Sequence, residues 1–126
     1  MAKTILIVED DAMNMRLFND LLQANDYGTI QATDGETAFD LAREHRPDLI
    51  LMDVRLPGIS GLDVTKKLKA DPGLKDIPVV AVSALAMQGD REKILADGCD
   101  GYIAKPVSVP DFLATVASFL ARSPLT

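Results

Sequence analysis

Short apolar runs alternate with longer stretches of mixed polarity along the chain. Thr4–Ile5–Leu6–Ile7–Val8 is unbroken and rich in β-branched residues, the pattern of a strand buried on both faces. Leu49–Ile50–Leu51–Met52 and Val79–Val80–Ala81–Val82 are of the same kind. The stretch Gly28–Thr29–Ile30–Gln31–Ala32 is less apolar and suits a sheet edge, and Gly101–Tyr102–Ile103–Ala104 is a short fifth strand. Between the strands, apolar residues follow helical spacing. Met13, Leu17, Leu21 and Leu22 recur at i, i+4, i+8 and i+9 and predict a first helix that packs through that stripe. Thr37, Ala38, Leu41 and Ala42 follow an Asp34–Gly35 turn. Leu62, Val64 and Leu68 mark a third helix, and Ile94 with Leu95 a fourth. Phe112, Leu113, Val116, Phe119 and Leu120 mark the last, opened by Pro110–Asp111. Strand–helix alternation repeated five times predicts an α/β fold, a parallel sheet with helices on both faces.

Composition narrows the class. The chain has 126 residues, the size of one domain spanning 1–126, with residues 122–126 expected to fray. An apolar share of 48% supplies a core. The net charge of −6 and pI of about 4.6 disfavour nucleic-acid backbones and anionic membranes as partners. One cysteine, Cys99, excludes an internal disulfide and fits a half-buried free thiol in a reducing compartment. Ile5–Val8, stopped by Glu9, is too short for a secretory leader, and no run approaches a membrane span, so a cytoplasmic location is expected.

Candidate chemistry sits where the strands end. In an open doubly wound sheet, ligands bind beyond the carboxyl ends of the strands at the topological switch point, which for the order 2-1-3-4-5 lies between strands one and three. The first strand ends in Glu9, Asp10 and Asp11, and the third in Asp53. The fourth ends in Ser83 and Ala84, and the fifth in Lys105 and Pro106. Crowded carboxylates raise one another's pKa unless a proton or a cation relieves them. Hard oxygen ligands on a partly open site suit Mg²⁺, which keeps some of its water and often binds phosphate. Acids at strand ends are ordinarily solvated loop residues; acids on two neighbouring strands beside a lysine are much harder to explain that way. An FMN site would need N–H donors after the first strand, where Glu9–Asp10–Asp11 would repel the phosphate. A phosphatase of the haloacid dehalogenase type, with an aspartate nucleophile, usually has a second Asp two positions on, where this chain has Arg55. No G-x-G-x-x-G supports a dinucleotide site.

Five segments, in order, carry a family resemblance: I-L-I-V-E-D-D (Ile5 to Asp11), P-D-L-I-L-M-D (Pro47 to Asp53), L-P-G-I-S-G (Leu56 to Gly61), V-V-A-V-S-A (Val79 to Ala84) and Y-I-A-K-P (Tyr102 to Pro106). Each alone is a weak signal, and together they are specific. Over about residues 3 to 121 the chain resembles the receiver domains of two-component response regulators. The resemblance implies a flavodoxin-like, CheY-like (βα)5 fold with strand order 2-1-3-4-5. The runs Val8 to Met15 and Ala84 to Pro106 are most similar to single-domain receivers of alphaproteobacterial cell-cycle control. Receivers within hybrid kinases share much of the second run, so an intermediate of another phosphorelay is the alternative reading.

The resemblance also implies roles. Asp53 would be the phosphoacceptor, with Asp10 a direct Mg²⁺ ligand, Glu9 a ligand through water and Arg55 a ligand through its backbone carbonyl. Ser83 and Lys105 would hold phosphoryl oxygens, and Ser83 and the aromatic Tyr102 would be the switch residues. The Lys105–Pro106 bond would be cis. Glu9 and Ser83 stand where Asp and Thr are also common. Partners would be a histidine kinase or phosphotransfer protein and, through the fourth helix, fifth strand and fifth helix, downstream proteins. No substrate turnover is expected beyond the protein's own phosphorylation and dephosphorylation. Other residues read more plainly. His45 suits a helix C-terminus. Met13, Met15, Met52 and Met87 read as packing or loop residues, Gly58 and Gly61 as turn glycines, and Lys66, Lys67 and Lys69 as a solvated helix face.

Overall fold

A computed structural model describes residues 3–56, 58–84 and 88–121, the side chains of 88–91 excepted. Residues 122–126, expected to fray, and Leu85, Ala86 and Met87 lie outside the described residues. Five strands, β1 (Thr4–Val8), β2 (Gly28–Ala32), β3 (Leu49–Asp53), β4 (Val79–Ser83) and β5 (Gly101–Ala104), alternate with α1 (Ala12–Ala24), α2 (Gly35–His45), α3 (Gly61–Ala70), α4 (Gln88–Ala96) and α5 (Val109–Ala121). All ladders are parallel, in the order β2-β1-β3-β4-β5. The two least apolar strands are therefore the two edges, and β1 and β3 meet at the switch point.

The three central strands are buried on both faces because each face has its own core. Ile5, Ile7, Leu49, Leu51, Val80 and Val82 pack under α1 and α5. Their neighbours in sequence, Leu6, Val8, Ile50, Met52, Val79 and Ala81, pack in the core that holds Ala38, Ala42, Val64, Leu68 and Ile94. The period of two along each strand thus feeds both layers.

Three helices start on side-chain caps. Asp11, Asp34 and Ser60 accept the backbone N–H of Met13, Thr37 and Asp63 at 3.1, 2.8 and 3.2 Å, satisfying donors that have no partner within the helix. Asp34 also takes the Thr37 hydroxyl at 3.0 Å, and these bonds lower its pKa.

Helix α1 keeps part of the expected stripe, with Leu22 buried and Leu21 packed against the core, and corrects the rest. Its buried residues are Met15, Phe18 and Leu22, whereas Met13 is 81% and Leu17 40% exposed. Two apolar faces compete on this helix. The one carrying Phe18 wins because that ring stacks on Phe112 of α5, centroids 5.1 Å apart and planes 17° apart. Leu95 of α4 is likewise exposed, and among the described side chains of that helix Ile94 is the one in the core.

Lys69 is the second correction. It is half-buried, and its ammonium donates to the carbonyls of Lys75 (3.2 Å) and Ile77 (2.9 Å) and to Asp100 Oδ2 (2.7 Å). The same carboxylate oxygen accepts the Val79 N–H at 2.8 Å, and the Asp100 N–H donates back to the Val79 carbonyl at 2.7 Å. Three donor groups and four acceptors are thereby satisfied at the amino ends of β4 and β5, and Lys69 serves as an internal tie.

Candidate metal and phosphoryl site

Parallel strands place their carboxyl ends on one rim, and the β1–β3 register pairs Val8 with Met52. Each strand then delivers its acids just past the last pair. Glu9 is 1% exposed and Asp53 5%, whereas Asp10 is exposed. Carboxylate oxygens of Glu9, Asp10 and Asp53 all lie within 4.8 Å of one another. From the far side of the sheet, Lys105 reaches Glu9 Oε1 at 2.8 Å and Asp53 Oδ2 at 3.5 Å. Asp53 Oδ1 accepts the backbone N–H of Arg55 at 3.0 Å, which ties the chain just after β3 to that carboxylate.

The geometry brings most of the predicted set together. Glu9, Asp10, Asp53 and Lys105 form one cluster, and Arg55 adjoins it through its backbone. Ser83, the last residue of β4, is buried on the same rim and opposite Ala104 in the ladder. Tyr102 is half-buried, and its hydroxyl donates to the Ser83 carbonyl at 3.4 Å. The two expected switch residues are therefore already joined. The Lys105–Pro106 peptide bond is cis. Asp11 stands apart from the cluster and spends its carboxylate on the α1 cap. Cys99 is buried in the α2–α3–α4 layer, where burial pushes its thiol up to about 11.

The carboxylates are poised for a cation. Burial, then the bond and charge of Glu9, raise the Asp53 pKa from 3.8 to about 7, against the pull of the Arg55 N–H and Lys105. Burial also works against the Glu9 carboxylate, but bonds from the Asp53 carboxyl and Lys105 more than offset it and lower its pKa. Of the pair, Asp53 holds the proton and Glu9 the charge. Among the described residues, Glu9 Oε2 is buried without a hydrogen-bond partner. Three hard oxygen donors, an orphaned buried oxygen and a carboxyl that keeps its proton for want of a stronger positive charge fit Mg²⁺.

A stability prediction follows from that proton. Folded Asp53 keeps it up to about pH 7, whereas the unfolded carboxyl loses it near 3.8. The folded state binds the extra proton in between, so the contribution of Asp53 to stability should fall as pH rises from about 4 to about 7. Asp53→Asn has no such proton. In a chelating buffer, urea midpoints should show the variant gaining on the parent protein steadily across that interval. A constant difference would contradict the raised pKa.

The fold and this rim define a phospho-receiver. The family model for the response regulator receiver domain matches residues 5–117, and the chain belongs to that family. It is 58% identical over 120 residues to the polar-differentiation response regulator DivK of Brucella anthropi, covering 95% of this chain and 98% of that one. DivK of Brucella ovis is 57% identical over the same length and coverage. Among solved structures, the receiver domain of the sensor histidine kinase PA1611 of Pseudomonas aeruginosa, with a magnesium ion coordinated in its active-site cleft, superposes with a TM-score of 0.90. It is 32% identical and covers 97% of this chain and 100% of that one. A putative response regulator from Chloroflexus aurantiacus superposes with a TM-score of 0.93 at 29% identity, over 97% and 100% of the two chains.

Proposed function

We propose that this chain is a one-domain phosphorelay switch of the DivK kind, working in the cytoplasm in control of polarity or the cell cycle. It takes a phosphoryl group on Asp53 and signals by changing which proteins it binds. The observation that carries the reading is the Glu9–Asp10–Asp53 cluster closed by Lys105. Phosphoryl transfer asks mainly for alignment and for neutralisation of the equatorial oxygens. A magnesium ion held by Asp10, Asp53 and the Arg55 carbonyl, with Glu9 behind a water, would supply positive charge to one of those oxygens. Lys105 exchanges its hold on Glu9 for a second oxygen, and the Ser83 hydroxyl donates to a third. Asp53 attacks through an ionised carboxylate, which the cation favours over the protonated one. Acetyl phosphate with Mg²⁺ should add one phosphoryl group, read by intact mass, and a chelator should prevent it. Steady turnover of a small phosphate ester would instead favour an aspartate-nucleophile phosphatase.

Two faces follow from this reading. A donor histidine must lie in line with Asp53, so its carrier has to rest on the rim. There a groove of about 340 Å³ runs between α1 and the β5–α5 loop, lined by Leu17, Phe18, Ala84, Lys105, Pro106 and Val107. Exposed Met13 and Leu17 extend its apolar wall along α1. We assign this face to the helical phosphodonor, a kinase or phosphotransfer protein. Targets read the α4–β5–α5 face, where Leu95 and Val109 are 42% and 41% exposed and Tyr102 connects to Ser83. When Ser83 moves toward the phosphoryl group, its carbonyl moves too, and the Tyr102 hydroxyl follows. Tyr102→Ala should leave phosphorylation intact and weaken phosphate-dependent target binding by about 5–150-fold, the usual span of coupling between two sites. Amide shifts with beryllofluoride that stop short of Tyr102 and α4 would rule this coupling out.

A further inference from the structure

We propose that Gly61 is the positioning residue of the metal-binding loop. Its missing side chain lets the first turn of α3 rest directly on the peptide that follows the phosphoacceptor. This rests on the receiver reading above and names a further residue of the same site.

Gly61 differs from the turn glycine its position in sequence suggests. Gly58 and Gly98 are the described glycines with positive φ, at 75° and 111°, and Gly61 is not among them. A Cβ on Gly58 would meet nothing within 4 Å. A Cβ on Gly61 would overlap the carbonyl oxygen of Asp53 and lie 2.9 Å from its carbonyl carbon and 3.0 Å from the Val54 Cα. All three are backbone atoms, so no side chain can swing aside. Gly58 supplies conformation, and Gly61 supplies room.

The contact is fastened on both sides. The Gly61 N–H donates to the Val54 carbonyl at 3.0 Å. The Gly61 carbonyl accepts the hydroxyl of fully buried Thr65 at 2.8 Å, and that hydroxyl oxygen takes the Cys99 thiol at 3.8 Å. The clamped peptide lies between the two groups that matter most, the Asp53 carboxylate and the Arg55 backbone. They are themselves joined by the Arg55 N–H at 3.0 Å. A methyl group at Gly61 would push this segment off α3 and carry the acceptor and the Arg55 carbonyl away from Asp10, which belongs to another strand end. Supports of this sort behind a metal ligand are commonly worth about 10–100-fold in affinity.

The test is Mg²⁺ affinity, measured by titration and amide chemical shifts, with no phosphoryl donor present. Gly61→Ala should weaken Mg²⁺ binding by about 10–100-fold and shift the Arg55 amide resonance. Gly101→Ala is the matched control. Its Cβ would meet the Phe119 ring at 2.7 Å at the other end of the sheet, so it should lose stability and keep its Mg²⁺ affinity. The inference is overturned if Gly61→Ala binds Mg²⁺ as the parent protein does. It is also overturned if both variants lose affinity in proportion to their stability. Should Gly61→Ala fail to fold, Thr65→Val carries the test. It removes the hydroxyl that holds the Gly61 carbonyl and should weaken Mg²⁺ binding toward the lower end of that range, about tenfold; unchanged affinity overturns the inference. A parent protein that binds no Mg²⁺ at all would refute the receiver reading instead, so the two failures are distinguishable.

Discussion

Asp53→Asn should abolish phosphorylation by acetyl phosphate altogether, with no residual mass shift, while the protein stays folded. Several features make the loss complete rather than partial. Asp53 is the one carboxylate of the cluster on β3, and Lys105 and the Arg55 N–H both converge on it. Glu9 is poorly placed to stand in, because Lys105 closes on its Oε1 at 2.8 Å, against 3.5 Å for Asp53 Oδ2. Asp10 is exposed, but among the described residues it has no lysine beside it to neutralise a phosphoryl oxygen. An amide at position 53 is neutral and a poor nucleophile, and it keeps the shape of the site. The variant should therefore remain folded in chelator, as the pH argument above requires. A normal mass shift in Asp53→Asn would move the acceptor elsewhere and overturn the site.

The second large effect separates two neighbouring acids. Asp10→Ala should weaken Mg²⁺ binding by at least about 10-fold, because it removes a ligand. Asp11→Ala should bind Mg²⁺ nearly as the parent does but lose about 0.5–2 kcal/mol of stability, because it removes the α1 cap. The basis is a division of labour visible in the coordinates. The Asp10 carboxylate lies with those of Glu9 and Asp53, and Asp11 accepts the Met13 N–H at 3.1 Å. Magnesium titration and urea denaturation on the two variants give opposite patterns if the assignment holds. Equal losses of Mg²⁺ affinity would place the cluster one residue out of register.

The central strands were legible in the chain because a strand buried on both faces has to be apolar along its run, as Ile5–Val8, Leu49–Met52 and Val79–Val82 are; their order came from the family resemblance. The acids at their ends could be read as one site because parallel strands share a rim. What escaped the sequence depends on partners remote in the chain. Helix α1 carries two apolar stripes, and only the Phe112 ring on α5 decides that Phe18 is inside and Met13 outside. Lys69 looks like Lys66 and Lys67 in sequence, and Asp100 and two loop carbonyls set it apart. Gly61 sits in a turn-like motif, yet its constraint comes from the backbone of β3. The hold of Lys105 on Glu9 joins residues 96 positions apart. No local pattern marks such a pair; the family resemblance did point to both residues.

The Lys69–Asp100 tie has a mechanical consequence. It pins β4 and β5 together at their amino ends, through Val79 and the loop that precedes it. Their other ends carry Ser83 and, just past Ala104, Lys105. A beam held at one end is displaced most at the other. A pull on Ser83 or Lys105 is then delivered as tilt at the rim, and little is lost to strands sliding past each other. The anchored end supplies the stiffness against which a change at the rim can do work.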